Sequence, residues 1–362
     1  MPPPENSKRP AIAQCVLLLA AVAVPLTLLW DFAWESTVGI DLVWSPPHVA
    51  VCLAIALATI GAAGMIGRED GVRLGRLRAP LGAWVALWGA LAFLTAFLFD
   101  RWWQSAYGLG AGIWHPPQIL KMVAFFAVAI GAAWCPLGRP VALPIAGAAV
   151  LALISFATLV SAYPNHQHSA PFYQITCATY PVVLVALAVA GRSRFPATLA
   201  ALGYTLIVGA MTWLLPLVPA TPQVAPIYNA LDHLMPPPFP LLLLAPALAL
   251  DALLRVFPAR AQHPQPWRQA TECGLAFFLI FAVVQWPFAR FLLAPASDHW
   301  FFAGGGRHWP FFLKIDAHAR VAFWTQAADS INLARTLVAT ALAIIAARAG
   351  LWLGSCLKTT PP

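Results

Sequence analysis

The chain has 362 residues, of which 60% are hydrophobic and only 9% are charged, and its formal net charge is +8. Soluble globular domains carry about 25% charged residues, so this composition excludes an ordinary water-soluble protein. A positive charge would suit nucleic acid, but the basic residues fall in short loops between apolar stretches, where membrane topology explains them better. We therefore expect the chain to partner a lipid bilayer and not a nucleic acid.

Ten apolar stretches approach the roughly 20 residues that a helix needs to cross a bilayer. They lie at about 11–30, 47–66, 81–100, 117–136, 141–162, 174–191, 197–217, 237–257, 271–293 and 332–353. The first stretch runs to Trp30 without a clear small-x-small cleavage signal, so we interpret it as a retained span and not as a signal peptide. The sequence predicts an all-α fold, a polytopic membrane helical bundle that forms a single domain over 1–362.

The distribution of basic residues predicts the orientation, because cytoplasmic loops carry an excess of lysine and arginine. Of the 21 lysines and arginines, fourteen fall on the side of the two termini and seven on the other side. This predicts cytoplasmic termini in a bacterial inner membrane. It also places eight of the nine histidines at the outer face. Longer outer loops account for part of that bias, and we expect the chemistry of the protein at this face.

Prolines mark the outer ends of four returning spans. Proline suits the first turn of a helix, because its missing N–H has no partner there in any case. The marks are Pro46-Pro47, Pro116-Pro117, Pro171 and Pro236-Pro237-Pro238. We expect each of these spans to begin as a helix at its prolines.

Two hairpins, at about 11–66 and 81–136, look like copies of each other. The segment DFAWESTVGIDLVWSPPH begins at Asp31, and DRWWQSAYGLGAGIWHPPQ begins at Asp100. Both keep a tryptophan at +3, a glycine at +8, a second tryptophan at +13 or +14, and a Pro-Pro pair before the next span. A unit of two spans preserves orientation, so the match predicts a parallel internal repeat.

The first copy carries a candidate metal site. Asp31 and Glu35 are four residues apart, which places them on one face at the outer end of the first span. His48 begins the second span, and a tight hairpin would bring it to the two acids. Two carboxylates and one imidazole suit a transition metal. The alternative is structural: the acids solvate the helix end, and His48 hydrogen-bonds to a carbonyl group.

The Asp-x3-Glu-x12-His spacing of this segment resembles the Asp-x3-His-x12-His metal-binding pattern in one of the membrane subunits of the particulate methane and ammonia monooxygenases. The resemblance covers eighteen of 362 residues, and Glu35 stands where that family has histidine. It implies that Asp31, Glu35 and His48 are ligands and that copper is the metal. The carboxylate of Glu35 leaves zinc, iron or manganese open, because nitrogen ligands would favour copper more strongly.

Further candidates lie at the same predicted face. Additional metal-ligand candidates are Asp100, His115, His166, His168, Asp232 and His233. Substrate-binding candidates are Trp103, Gln118, Lys121 and Tyr228. Lys121 should pair with an acid such as Asp100 or extend towards the interface, because an unpaired ammonium group inside a membrane is costly. Trp103 also suits simple anchoring at the interface.

The longest outer loop, at about 294–331, contains a segment in which polar and apolar residues alternate from Lys314 to Val321. Alternation with period two predicts a small β element there, and an interfacial helix is the competing prediction.

Together these patterns favour a metal-binding membrane protein, with a metal-dependent oxidoreductase as its activity. Other membrane subunits or a periplasmic redox partner would then be its partners. The alternative is a transporter or permease of a small solute or ion, which internal repeats and proline-interrupted helices also suit. A lipid-linked transferase would need a larger soluble part, and a haem subunit would need histidines facing each other across the bundle. The sequence has no GxGxxG motif or P-loop, so we expect no nucleotide cofactor.

Overall fold

A computed structural model describes most of the chain as α-helix. The described residues are 8–39, 44–67, 71–108, 114–135, 140–160, 167, 169–221, 224, 231–256, 265–297, 299–302 and 331–359. The helices are α1 (Lys8–Thr37), α2 (Pro46–Ala63), α3 (Leu81–Tyr107), α4 (Pro116–Trp134), α5 (Ala142–Val160), α6 (Ala170–Ala190), α7 (Pro196–Leu214), α8 (Leu244–Asp251), α9 (Pro266–Leu293) and α10 (Leu333–Thr359). Within these described ranges, nine helices are long and apolar enough to cross a membrane, which confirms a multi-pass helical bundle.

Three of the four predicted proline starts are confirmed. Helix α2 begins at Pro46 and α4 begins at Pro116, while α6 begins at Ala170 with Pro171 in its first turn. Serine caps two of these helices: the Ser45 hydroxyl accepts from the backbone N–H of His48, and Ser169 caps α6 in the same way. Each cap satisfies one backbone donor that has no partner inside the helix. The prolines and caps therefore fix where these helices start.

The fourth proline start is wrong, and the eighth predicted span is only half helical. Residues 234–242 contain no helix, α8 covers Leu244–Asp251, and a π-helical turn continues through Ala252–Val256. Four of the residues from 236 to 240 are prolines, which lack an N–H group. The residue before a proline also avoids the helical conformation. The run MPPPFP is therefore extended, and the helix starts only after its last proline.

The extended half is buried among other helices. Backbone without regular structure is tolerated at membrane depth only where the protein satisfies its polar groups. The Tyr204 hydroxyl accepts from the N–H of Leu241 at 2.9 Å, and Gln285 Oε1 accepts from the N–H of Leu242 at 2.9 Å. Gln285 in turn donates to Gln167 at 2.7 Å. These two side chains satisfy the donors that a helix would have satisfied internally.

Helices α1 to α4 form a ring, in which α1 contacts α2 and α4, and α3 also contacts both. This ring brings the ends of the two predicted repeat hairpins together. We call the end of the bundle where α1 ends and α2 begins the histidine face. The loop after α7 lies at the same face, because the N–H of Val224 donates to the carbonyl of Val38 at 2.6 Å.

The strands that the structure describes are not where the sequence suggested a β element. Val72–Leu74 (β1) and Leu77–Ala79 (β2) form an antiparallel hairpin between α2 and α3. Trp84 Nε1 donates to the carbonyl of Val72 at 3.0 Å, which ties the hairpin to α3. The alternating segment predicted to form a strand, 314–321, lies outside the described residues.

Candidate metal site and the neighbouring Lys121 cluster

The three residues of the predicted metal site come together at the histidine face. Asp31 and Glu35 lie on the same side of α1, one turn apart. His48 is the third residue of α2, at a position fixed by Ser45 and by the two prolines that open the helix. Because α1 and α2 pack against each other, the imidazole faces the two acids. The predicted clustering of Asp31, Glu35 and His48 is therefore confirmed.

Distances in this cluster suit a shared cation. His48 Nε2 is 3.3 Å from Asp31 Oδ1 and 3.7 Å from Glu35 Oε1. One ligand atom from each of the three residues lies within 4.8 Å of the others. Oxygen and nitrogen ligands sit about 2.0–2.2 Å from a zinc ion, so they are roughly 3–4 Å apart when they share one ion. Small side-chain movements would bring all three atoms to that separation.

The charge of the cluster favours a cation as well. Two carboxylates face one imidazole, and the side chains of Asp31 and His48 are only 16% and 22% exposed. Asp31 Oδ1 is buried, and it lies beside the imidazole of His48. A buried charged oxygen is costly unless it is paired or coordinates a metal. The donor set of two oxygens and one nitrogen is therefore one that could hold a metal ion.

A second cluster lies at the end of α3 and the start of α4. The ammonium group of Lys121 is 2.5 Å from Asp100 Oδ2, and Asp100 is only 7% exposed. His115 Nε2 is 3.8 Å from Asp100 Oδ1, and Gln104 donates to Oδ2 at 3.3 Å. The Trp103 ring stacks on the imidazole of His115, with centroids 6.0 Å apart. The predicted pairing of Lys121 with Asp100 is confirmed, so a protein cation already balances this carboxylate.

The two clusters are neighbours. They belong to the same ring of helices, in which α1 contacts α4 and α2 contacts α3. If the Pro-Pro pairs that open α2 and α4 are aligned, Val51 stands where the second hairpin has Lys121. Val51 is an uncharged, buried residue. Helix α2 therefore brings no ammonium group to Asp31 at the position from which α4 brings one to Asp100.

The glycine shared by both hairpins has a different reason in each. Gly108 ends α3 with a φ of +87°, a conformation that favours glycine. Gly39 follows α1, and a Cβ there would lie 2.3 Å from the carbonyl oxygen of Val224. Gly108 is needed for its backbone angle, whereas Gly39 is needed because another backbone comes close. The shared glycine therefore does not show that the two hairpins have the same structure, and the internal repeat stays a prediction.

Within the described ranges, the other candidate residues do not join Asp31, Glu35 and His48. Asp232 and His233 are exposed, and His233 pairs with Pro219 in an isolated β-bridge. Gln118 is half-buried in the first turn of α4. His166, His168 and Tyr228 lie outside the described residues. In the part of the chain that the structure covers, Asp31, Glu35 and His48 alone form a group of three with metal-ligand distances.

The sequence interpretation missed a polar network in the middle of the bundle. Tyr204 links α7 to the extended segment, and its hydroxyl is also 3.3 Å from that of Ser155 on α5. Gln285 is fully buried in α9. Gln285 is a lone glutamine inside an apolar stretch, and polar side chains in membrane helices usually have a partner. The sequence could therefore have indicated a buried hydrogen bond at this position.

Comparison with known protein families, curated proteins and solved structures finds no match for this chain. The resemblance to the particulate monooxygenases therefore rests on the spacing of Asp31, Glu35 and His48 alone.

Proposed function

We propose that this protein binds a transition metal at Asp31, Glu35 and His48 and acts as a metal-dependent membrane oxidoreductase. The observation that carries the proposal is the convergence of three ligand atoms within 4.8 Å from two different helices. In the neighbouring cluster the corresponding acid is balanced by Lys121.

Three protein ligands suit catalysis better than a purely structural role. Structural zinc sites usually have four protein ligands, whereas catalytic sites keep a position open for water or substrate. The resemblance to the particulate monooxygenases favours copper, and the two carboxylates are also compatible with zinc, iron or manganese. A redox-active metal would supply one-electron chemistry there, while Asp31, Glu35 and His48 would hold and orient it. By the distribution of basic residues, both termini are cytoplasmic and the site faces the outer side of a bacterial inner membrane.

Elemental analysis of the purified protein tests this proposal. We expect about one metal ion per chain after incubation with copper, zinc, iron or manganese followed by removal of loosely bound ions. Glu35→Gln and His48→Ala should each reduce the occupancy strongly, because each removes one of three ligands. His115→Ala is the control, since it deletes the imidazole of the cluster that Lys121 balances. Wild-type protein without bound metal, or equal losses in the control, would overturn the proposal.

The second candidate is a transporter of a small solute or ion. The broken crossing formed by residues 234–256 favours it, because transporters often bind their cargo where a membrane helix is interrupted. A cavity of about 30 Å³ adjoins the extended segment and is lined in part by Ser155 and Gln167. This space is enough for about one water molecule, which does not support a solute path in this conformation. Uptake of candidate ions by proteoliposomes, with Gln285→Leu beside the wild type, would test this function.

A further inference from the structure

A basic pocket lies where α6 and α10 end and α9 begins. Its volume is about 540 Å³, which falls within the range of about 300–1,000 Å³ that is usual for ligand pockets. Helix α7 begins soon after α6 ends and runs to the histidine face, so this pocket is at the opposite end of the bundle. The distribution of basic residues predicts that this end is cytoplasmic. The pocket shares no helix with Asp31, Glu35 and His48 and does not depend on the proposed function.

Three cationic side chains line this pocket, and none of its described lining residues is an acid. The cations are Arg255, Arg348 and Lys358. The guanidinium of Arg255 is already in use, because it donates to three backbone carbonyl groups at the end of α6 and in the turn that follows. Arg255 is therefore a fixed, positively charged part of the wall.

Arg348 and Lys358 have no carboxylate partner in the part of the chain that the structure describes. The described acids at this end of the bundle are used elsewhere. Glu272 pairs with a neighbouring arginine of α9, and Asp251 accepts hydrogen bonds from the start of α7. The half-buried Arg348 instead lies over the ring of Trp267, 5.8 Å from its centroid, which leaves the positive charge in place. An unpaired charge on a membrane helix is costly, so we expect an anion as its partner.

The walls of the pocket favour a lipid over a soluble anion. Trp352 lines the pocket from a spanning helix and is 61% exposed, so the pocket opens towards the bilayer. Trp267, at the start of α9, is exposed as well. Tryptophan is enriched where the hydrocarbon of a membrane meets water. Leu254 and Leu351 add an apolar surface beside the cations. A matching occupant has an anionic group at the interface and apolar chains that continue into the bilayer.

We propose that this pocket binds the headgroup of an anionic phospholipid from the leaflet at this end of the bundle. The phosphate lies near Arg348 and Lys358, and an acyl chain leaves the pocket along Trp352. Arginine suits phosphate because its planar donors match the phosphate oxygens. Basic pockets between membrane helices on the cytoplasmic side typically bind such headgroups. The lipid supplies the negative charge that the described part of the protein does not bring to these two cations.

Native mass spectrometry of the full chain in detergent, titrated with phosphatidylglycerol or phosphatidylcholine, tests the proposal. We expect phosphatidylglycerol to bind more tightly. Arg348→Gln and Lys358→Gln should each weaken it about fivefold, since a basic residue near an anionic lipid contributes on that scale. Arg76→Gln is the matched control, because Arg76 is an exposed arginine in the hairpin between α2 and α3, at the same end of the bundle but outside the pocket. It should leave binding unchanged.

Equal binding of the two lipids would overturn the proposal. An effect of Arg76→Gln as large as that of Arg348→Gln would overturn it too, because general surface charge would then explain the binding.

Photocrosslinking of the wild-type protein covers variants that fail to fold. The probe is a phosphatidylglycerol with a photoreactive group close to the glycerol end of one acyl chain. We expect crosslinks to the first turns of α9 or the last turns of α10, suppressed by excess unlabelled phosphatidylglycerol and not by the same excess of inorganic phosphate. Crosslinks confined to other helices would overturn the assignment. Equal suppression by inorganic phosphate would mean that the pocket takes the free anion, which would overturn the choice of a lipid.

Discussion

Asp31 and His48 belong to different helices, yet Asp31 Oδ1 lies 3.3 Å from His48 Nε2. The hairpin between α1 and α2 produces this approach. The Ser45 cap and the two prolines fix where α2 begins, and therefore where His48 lies. The packing of α1 against α2 thus brings an imidazole to a pair of acids, as the sequence predicted.

Removing the N-terminal cap of α2 should lower the affinity for the metal as well as the stability of the fold. We expect Ser45→Ala to lower stability by about 1 kcal/mol, the usual effect of losing an N-cap. Because Ser45 accepts from the N–H of His48, loosening that turn should also reduce the affinity for the metal severalfold. Ser169→Ala removes the equivalent cap of α6 and is the matched control. Thermal unfolding and metal titration of both variants check this. A similar loss of affinity in the control would show that the cap acts only through general stability.

The second hairpin should become a metal site when its internal cation is removed and its missing acid restored. The double variant Lys121→Val, Gln104→Glu introduces the residue types that Val51 and Glu35 have at the matching positions of the first hairpin, while His115 stays three positions before the residue that aligns with His48. Asp100, His115 and the new carboxylate would then form a donor set like that of Asp31, Glu35 and His48. We expect a second metal equivalent per chain by elemental analysis. Lys121→Val alone should bind less, since it lacks the second carboxylate. An unchanged stoichiometry in the double variant would argue against equivalent geometry in the two hairpins.

The sequence could predict the bundle and the clustering of Asp31, Glu35 and His48 because both depend on local patterns. Long apolar stretches form helices in lipid, since a helix satisfies its own backbone groups there. The four-residue spacing of Asp31 and Glu35, together with the prolines before His48, was enough to predict that these side chains meet. The cost of an unpaired charge in a membrane left two outcomes for Lys121, extension towards the interface or pairing with an acid such as Asp100, and the structure shows the pairing.

The broken crossing could not be predicted in the same way, because hydropathy does not distinguish an apolar helix from an apolar extended segment. The prolines at 236–240 gave a partial signal. The partners that stabilise the extended form, Tyr204 and Gln285, are 37 and 43 residues away from the backbone groups they bind. Contacts over such separations depend on the packing of α7 and α9, which the sequence pattern does not specify.

The extended segment should depend on Tyr204. We expect Tyr204→Phe to destabilise the protein by about 1–3 kcal/mol, because the N–H of Leu241 would be left buried without an acceptor. Tyr107→Phe is the control: this residue is 61% exposed, so loss of its hydroxyl should change stability little. Thermal unfolding in detergent, followed by circular dichroism, measures both. If the two variants unfold at the same temperature as the wild type, the Tyr204 hydrogen bond does not hold the segment in place.

The far end of the broken crossing should depend on Asp251 as an acceptor. Its carboxylate is fully buried and accepts from the N–H groups of Ala197 and Thr198 and from the Thr198 hydroxyl. It therefore links α8 to the start of α7.

We expect Asp251→Ala to destabilise the protein by about 3 kcal/mol or more, because several buried donors lose their acceptor at once. Asp251→Asn keeps one acceptor oxygen, so this variant should lose less stability than Asp251→Ala. Thr198→Val, which removes only the hydroxyl donor, should have the smallest effect of the three. Thermal unfolding of the variants gives the order directly, and an equal loss for Asp251→Ala and Thr198→Val would show that the backbone hydrogen bonds contribute little.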